Sequence, residues 1–190
     1  MKEKISKAFI LVDMVNGFVN EGAMSDKFIA HIIPRQHEYM KEIQKDENSI
    51  NIIIKDMHKE NCREFTHYPV HCVENTSESE VVDELKEFEL GNEEFVFPKN
   101  STSATFAPRF IETIEALQDL EEVVIGGCCT DICVLNLAIP LQNYFDQMDR
   151  NVKITIYKDM VETYDSPTHN REEYNEMAFK LMSQAGINII

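Results

Sequence analysis

Six short runs rich in β-branched and aromatic residues punctuate this chain, and their spacing restricts the fold more than any other feature. They are Ala8-Phe9-Ile10-Leu11-Val12, Ile50-Asn51-Ile52-Ile53-Ile54, Phe95-Val96-Phe97, Val123-Val124-Ile125, Val152-Lys153-Ile154-Thr155-Ile156-Tyr157 and Ile187-Asn188-Ile189-Ile190. Helical patterns fill the gaps near 34–46, 78–88, 108–119, 132–148 and 168–185, the second with Val81, Val82, Leu85 and Phe88 on one face. Apolar strands alternating with helices mean a parallel sheet buried on both sides. The expected fold class is therefore α/β, a three-layer α/β/α arrangement around a mainly parallel six-stranded sheet. The 190 residues contain no repeat, low-complexity tract or linker, so 1–190 reads as a single domain.

Several partner classes fall away at once. No apolar run is long enough for a membrane-spanning helix. The opening MKEKISKAFILVD places lysines before a short apolar stretch that ends in Asp13 without a small-residue cleavage site. It reads as a first strand, not a signal peptide. Five cysteines without a disulfide-like framework suit a reducing, cytoplasmic setting. A net charge of −16 argues against nucleic acid and anionic membrane as partners. Small-molecule binding and a homo-oligomer are both compatible with this composition.

In sheets of this kind the chemistry gathers beyond the carboxyl ends of the strands. The first strand ends at Asp13, a carboxylate directly after five apolar residues; a turn or cap role is the alternative. The second ends in Asp56-Met57-His58, whose outer residues point the same way on an extended backbone. Glu64, His67 and His71 follow soon after, together with Cys62 and Cys72. This density suggests a mixed oxygen and nitrogen metal site, against the alternative of a polar loop with solvated histidines. Zinc-finger spacing is absent, and a mixed site more readily keeps positions open for water or substrate. The third strand delivers Lys99 ahead of a Ser/Thr-rich loop.

The fourth strand runs into Gly126-Gly127-Cys128-Cys129-Thr130-Asp131-Ile132-Cys133-Val134. Two glycines allow a tight turn, Thr130 and Asp131 can cap the helix that follows, and Cys133 falls in its first turn. The helix dipole and free N–H groups there favour thiolate. Taken alone, the three cysteines could equally be small buried hydrophobes. A carboxylate, an ammonium and a thiol on three strand ends of one sheet favour the reactive reading.

These residues resemble the isochorismatase-like cysteine hydrolases, and within them the nicotinamidase (pyrazinamidase) group, over nearly the whole chain. Asp13, Lys99 and Cys133 match that family's triad, Cys133 within its G-x-x-T-D-x-C-V signature. The resemblance implies metal ligation by Asp56, His58 and His71, the last in Tyr68-Pro69-Val70-His71-Cys72-Val73, with Glu64 as the remaining ligand and His67 as its competitor. It implies that Phe18 and Tyr68 sandwich a pyridine ring, that the Cys128–Cys129 peptide is cis, and that backbone N–H groups of Cys129 and Cys133 form an oxyanion hole. The cofactor is then a divalent metal, zinc first, with manganese or iron tolerated about as well. The implied activity is hydrolysis of nicotinamide to nicotinate and ammonia through a cysteine thioester. The competing reading is a metal-independent sibling acting on another small amide or a vinyl ether. Two departures stand out: the usual D-x-Q-N-D-F reads Asp13-Met14-Val15-Asn16-Gly17-Phe18, and the nucleophile helix carries Leu137 and Pro140.

Overall fold

The computed structural model describes residues 4–190. Its strands are β1 (Lys7–Val12), β2 (Ser49–Asp56), β3 (Val96–Lys99), β4 (Glu122–Cys128), β5 (Lys153–Ile156), β6 (Val161–Glu162) and β7 (Asn188–Ile189). The α-helices are α1 (Asn16–Val19), α2 (Ile33–Lys45), α3 (Phe110–Ala116), α4 (Leu135–Gln147) and α5 (Arg171–Gln184). The sheet order is β3-β2-β1-β4-β5-β7, and β6 extends the ladder beside the end of β4. Every pairing is parallel. The expected six strands are all present, and the two-residue β6 makes a seventh.

The pleat sorts β1 between two cores. Ala8, Ile10 and Val12 pack with Phe110 of α3, Leu137, Leu141 and Phe145 of α4, and Ala178 and Met182 of α5. Phe9 and Leu11 face the other way, onto Tyr39, Met40 and Ile43 of α2 and onto Val81, Val82, Leu85 and Phe88. Burying each large apolar side chain contributes about 1.5–3 kcal/mol, so a strand covered on both faces is strongly held. Chain order reverses between β1 and β4, and that switch point opens a crevice past the strand ends.

The helix expected over 78–88 does not form. Two short 3-10 turns, Ser77–Ser79 and Lys86–Phe88, stand there instead. The hydroxyls upstream bond the backbone locally, Thr76 Oγ1 to Val73 O and Ser79 Oγ to Thr76 O, which competes with helix. The apolar spacing is still used, since Val81, Val82, Leu85 and Phe88 are all buried. The segment also braces the loop after β1: Asn16 N–H donates to Glu80 O at 2.9 Å and Val82 N–H to Met14 O at 3.0 Å.

Two residues of the β4–α4 unit have clear steric reasons. Gly127 has φ +128, and a Cβ there would overlap the Val12 carbonyl oxygen of the neighbouring strand. Pro140 lies inside α4 and cannot donate to the Asn136 carbonyl. Ser103 Oγ, from the loop after β3, donates to that oxygen at 2.8 Å. The proline flagged as a departure in sequence thus leaves an acceptor that ties the Lys99 loop to the Cys133 helix.

Candidate active site

Four strand ends converge at the crevice. In the β2–β3 register Asp56 lies opposite Lys99, which places both side chains on the same face. Lys99 Nζ is buried and sits 2.7 Å from Asp56 Oδ1, 2.9 Å from Asp13 Oδ2 and 3.7 Å from Cys133 Sγ. The structure therefore brings together the three residues expected to form the triad, with Lys99 at the centre. Asp13 reaches it from a left-handed backbone, φ 53, a conformation aspartate tolerates better than most residues. Its N–H donates to Ile54 O, while its carbonyl accepts from Val15 N–H at 2.8 Å and from the Cys128 thiol at 3.2 Å. The Cys128 thiol therefore anchors the base, which its sequence context did not signal.

Burial dominates the proton affinities. It pushes the Asp13 carboxyl up to about 6, with Lys99 pulling down and the nearby Asp56 charge pushing up further. Asp56 is equally buried, but Lys99, His58 and His71 outweigh the desolvation and hold its carboxyl well below the usual carboxylate range. Burial also opposes the Lys99 charge, yet the Asp13 and Asp56 carboxylates keep Lys99 protonated. The Cys133 thiol is pushed well above its ordinary range, because desolvation and the carboxylates outweigh Lys99. This corrects the thiolate expected from the helix position. The ground state pairs a neutral thiol with an ionised aspartate.

The turn itself also differs from expectation. Residues Thr130–Val134 form a widened, π-type turn before α4, with Val134 N–H donating to Cys129 O and Leu135 N–H to Thr130 O. Neither Thr130 nor Asp131 caps it: the N-cap is Cys129 without a side-chain bond, Thr130 Oγ1 is buried without a partner, and Asp131 bonds Thr163 and His169 instead. The Cys128–Cys129 peptide is cis, as the family resemblance implies.

The second cluster adjoins the first. Asp56, His58, Glu64 and His71 each offer one ligand atom, and these four atoms lie within 4.8 Å of one another. Asp56 Oδ2 is 3.0 Å from His58 Nε2 and 3.1 Å from His71 Nε2, and the two nitrogens are 3.2 Å apart. Glu64 Oε1 is 3.7 Å from His58 Nε2. Donors held about 2.0–2.2 Å from one ion have edges of this size. His71 Nδ1 donates to Pro69 O at 2.7 Å, leaving Nε2 as the ligand atom. His58 runs beside Val73 as a strand-like extension, with its N–H on Cys72 O, so the loop carrying His71 returns over it. His67 is exposed, while Glu64 turns inward and joins the cluster. The residues present fit a divalent metal: one oxygen of Asp56 is occupied by Lys99, and the other faces two imidazoles and a second carboxylate.

Between the clusters lies a small pocket lined by Phe18, Met24, Tyr68, Ile132 and Cys129 as well as Asp56, Glu64, His71 and Cys133. Phe18 lies 5.5 Å and Tyr68 6.3 Å from the His71 ring, centroid to centroid. Both expected aromatic contacts therefore reach this space. Phe65, 5.2 Å from His58, walls the imidazoles from outside, and its place in a polar loop gave no sequence cue. A separate cleft opens at the amino ends of β1 and β2 between Ile5, Ser49, Phe88 and Leu117, and among the described residues no histidine, cysteine or lysine lines it.

Residues 7–190 match the family described as the isochorismatase domain. The chain belongs to the isochorismatase family. This family member is 26% identical to Nicotinamidase 1 of Arabidopsis thaliana over 180 residues, covering 86% of this chain and 72% of that protein. Among solved structures it is similar to the pyrazinamidase/nicotinamidase of Streptococcus mutans, with a TM-score of 0.79, 24% identity, and coverage of 97% of this chain and 100% of that one. It is also similar in fold to the pyrazinamidase of Pyrococcus horikoshii in complex with zinc, with a TM-score of 0.77, 24% identity, and coverage of 97% of this chain and 98% of that one. This isochorismatase-family chain is an enzyme of the amidohydrolase type, and its relatives include members of the nicotinamidase group.

Proposed function

We propose that the protein hydrolyses nicotinamide to nicotinate and ammonia, as a single-domain cytoplasmic enzyme with a divalent metal, zinc foremost. The observation that carries this reading is the adjacency of the Asp56, His58, Glu64 and His71 cluster to the Asp13, Lys99 and Cys133 triad across one aromatic-walled pocket. A hydrolase of simple aliphatic amides has no use for the metal cluster.

Asp56, His58, Glu64 and His71 would hold the metal. When bound, it supplies a Lewis-acid anchor for the pyridine nitrogen and so fixes where the carboxamide lies. Phe18 and Tyr68 flank the ring and exclude water. The Cys133 thiol gives its proton to the Asp13 carboxylate as the sulfur attacks the amide carbon. Lys99 stays charged and offsets the negative charge that moves from Asp13 to the substrate oxygen. Backbone N–H groups of Cys129 and Cys133 receive that oxygen, a contribution of about 3–4 kcal/mol per donor. Asp13 returns the proton to the departing nitrogen, ammonia leaves, and a thioester remains on Cys133. Asp13 then takes a proton from water, which attacks the thioester. The acid departs and the thiol regains its proton.

A substrate panel tests the proposal. Ammonia release is measured with nicotinamide, pyrazinamide and several aliphatic amides, with and without chelator. Chelator-sensitive turnover restricted to the pyridine and pyrazine amides is expected. Equal turnover of aliphatic amides, insensitive to chelator, would make the protein a metal-independent sibling.

A further inference from the structure

One partly buried cluster lies beside the active site and has no part in that scheme. After β6 the chain makes a tight turn in which Ser166 N–H donates to His169 O at 3.0 Å and His169 N–H returns a bond to Ser166 O at 3.1 Å. The turn drives the His169 ring into a slot between Tyr164 and Tyr174, with centroid distances of 3.9 and 3.7 Å and interplanar angles of 10° and 30°. His169 Nε2 donates to Asp131 Oδ2 at 2.8 Å, and its Nδ1 lies 3.0 Å from the Tyr164 carbonyl oxygen. The other oxygen of Asp131 accepts the Thr163 hydroxyl at 2.5 Å.

Asp131 belongs to the π-type turn that carries Cys133, and that turn has no side-chain cap of its own. Its carboxylate is instead held at both oxygens from outside, by residues of the β6–α5 connection. A ring stacked on two faces cannot rotate, so the direction of its donor is fixed. The turn also has to keep Cys133 Sγ within reach of Lys99, 3.7 Å away, with i to i+5 bonds in place of the regular α-helical ladder. Placement errors of a fraction of an ångström at a nucleophile are expensive in rate.

We propose that His169 is a positioning residue: through Asp131 it holds the Thr130–Val134 turn and thereby aims the Cys133 sulfur. The kinetic part rests on the amide-hydrolase reading above; the structural part does not. The test compares His169→Ala and His169→Gln with the unchanged metal-loaded protein, by steady-state ammonia release from nicotinamide and by amide hydrogen exchange resolved along the chain. His169→Ala should lower kcat roughly 10- to 100-fold with KM within about twofold, since binding groups are untouched. Exchange across 130–134 should accelerate about tenfold while β1 and β2 stay protected. His169→Gln keeps a donor at similar reach and should recover most of both effects.

The proposal is overturned if His169→Ala leaves kcat and local exchange within twofold, if exchange rises over the whole chain, or if the Gln variant falls as far as Ala. If His169→Ala does not fold, Thr163→Val, which releases the other Asp131 oxygen, takes the same comparison. Should the unchanged protein release no ammonia from nicotinamide, the hydrolase reading fails, while the exchange pattern and its rescue by Gln still decide the role of His169.

Discussion

Mild acid should silence the enzyme well before it unfolds it, and the midpoint is set by Asp13. The base must be ionised to accept the thiol proton, so activity is present above its titration and lost as pH falls through it. Burial raises the Asp13 carboxyl from an ordinary 3.8 to about 6. About nine-tenths of the molecules then carry the working carboxylate at pH 7 and about one-tenth at pH 5, a tenfold fall in kcat/KM. An aspartate of ordinary strength would lose less than about a tenth of its activity over the same span. Lys99→Met sharpens the comparison, because the ammonium 2.9 Å from Asp13 Oδ2 is what opposes the burial. Without it the acid limb should move up by about one to three pH units. The assay is ammonia release between about pH 4.5 and 8 at saturating metal and constant ionic strength, with circular dichroism confirming the fold at each pH. A flat profile between pH 7 and 5, or an acid limb in Lys99→Met at or below that of the parent, would refute the assignment of Asp13 as base.

Other perturbations follow from the same contacts. Cys133→Ala should keep its melting temperature within a few degrees and lose roughly a thousandfold or more in ammonia release, read by calorimetry and a coupled assay. Gly127→Ala forces a Cβ onto the Val12 carbonyl at φ +128 and should lower Tm by about 5–15 °C. Ser103→Ala leaves the Asn136 carbonyl without its donor and should cost about 1 kcal/mol in urea unfolding. That cost should vanish in a Pro140→Ala background, where a restored N–H takes the carbonyl; an unchanged cost would sever the link between proline and serine. Zinc or manganese at a thousand times its Kd should raise stability by about 4 kcal/mol, and Glu64→Gln should lose most of that gain while His67→Gln keeps it.

The alternation of apolar runs and helical patterns was enough to foresee the parallel sheet, because strands buried on both faces stay mainly apolar, with only isolated polar residues such as Asn51 and Thr155 among them. Strand ends were legible as a set: Asp13 or Lys99 alone had an ordinary alternative, but a carboxylate, an ammonium and a thiol on three ends of one sheet did not. Glu64 came only from the family resemblance, with His67 as its competitor: spacing alone does not separate two residues that differ in which way a loop turns, and the structure groups Glu64 with Asp56, His58 and His71. Spacing misled at 78–88, where one face of buried residues arises from two 3-10 turns held by Thr76 and Ser79 hydroxyls. The resting thiol was misjudged because a helix position is local, whereas the desolvation that raises Cys133 comes from the whole crevice. His169 left no signal at all: its meaning depends on Asp131, Tyr164 and Tyr174, which only the folded chain assembles around it.

The central claim is that one pocket couples a cysteine nucleophile to a metal-anchored pyridine amide. Its most direct test is intact-mass spectrometry of the metal-loaded protein quenched in acid during turnover of nicotinamide. A nicotinoyl adduct on the peptide containing Cys133, absent after chelator treatment and absent in Cys133→Ala, is the expected result. Steady ammonia release with no adduct on Cys133, or an adduct that forms equally well in chelator, would contradict it.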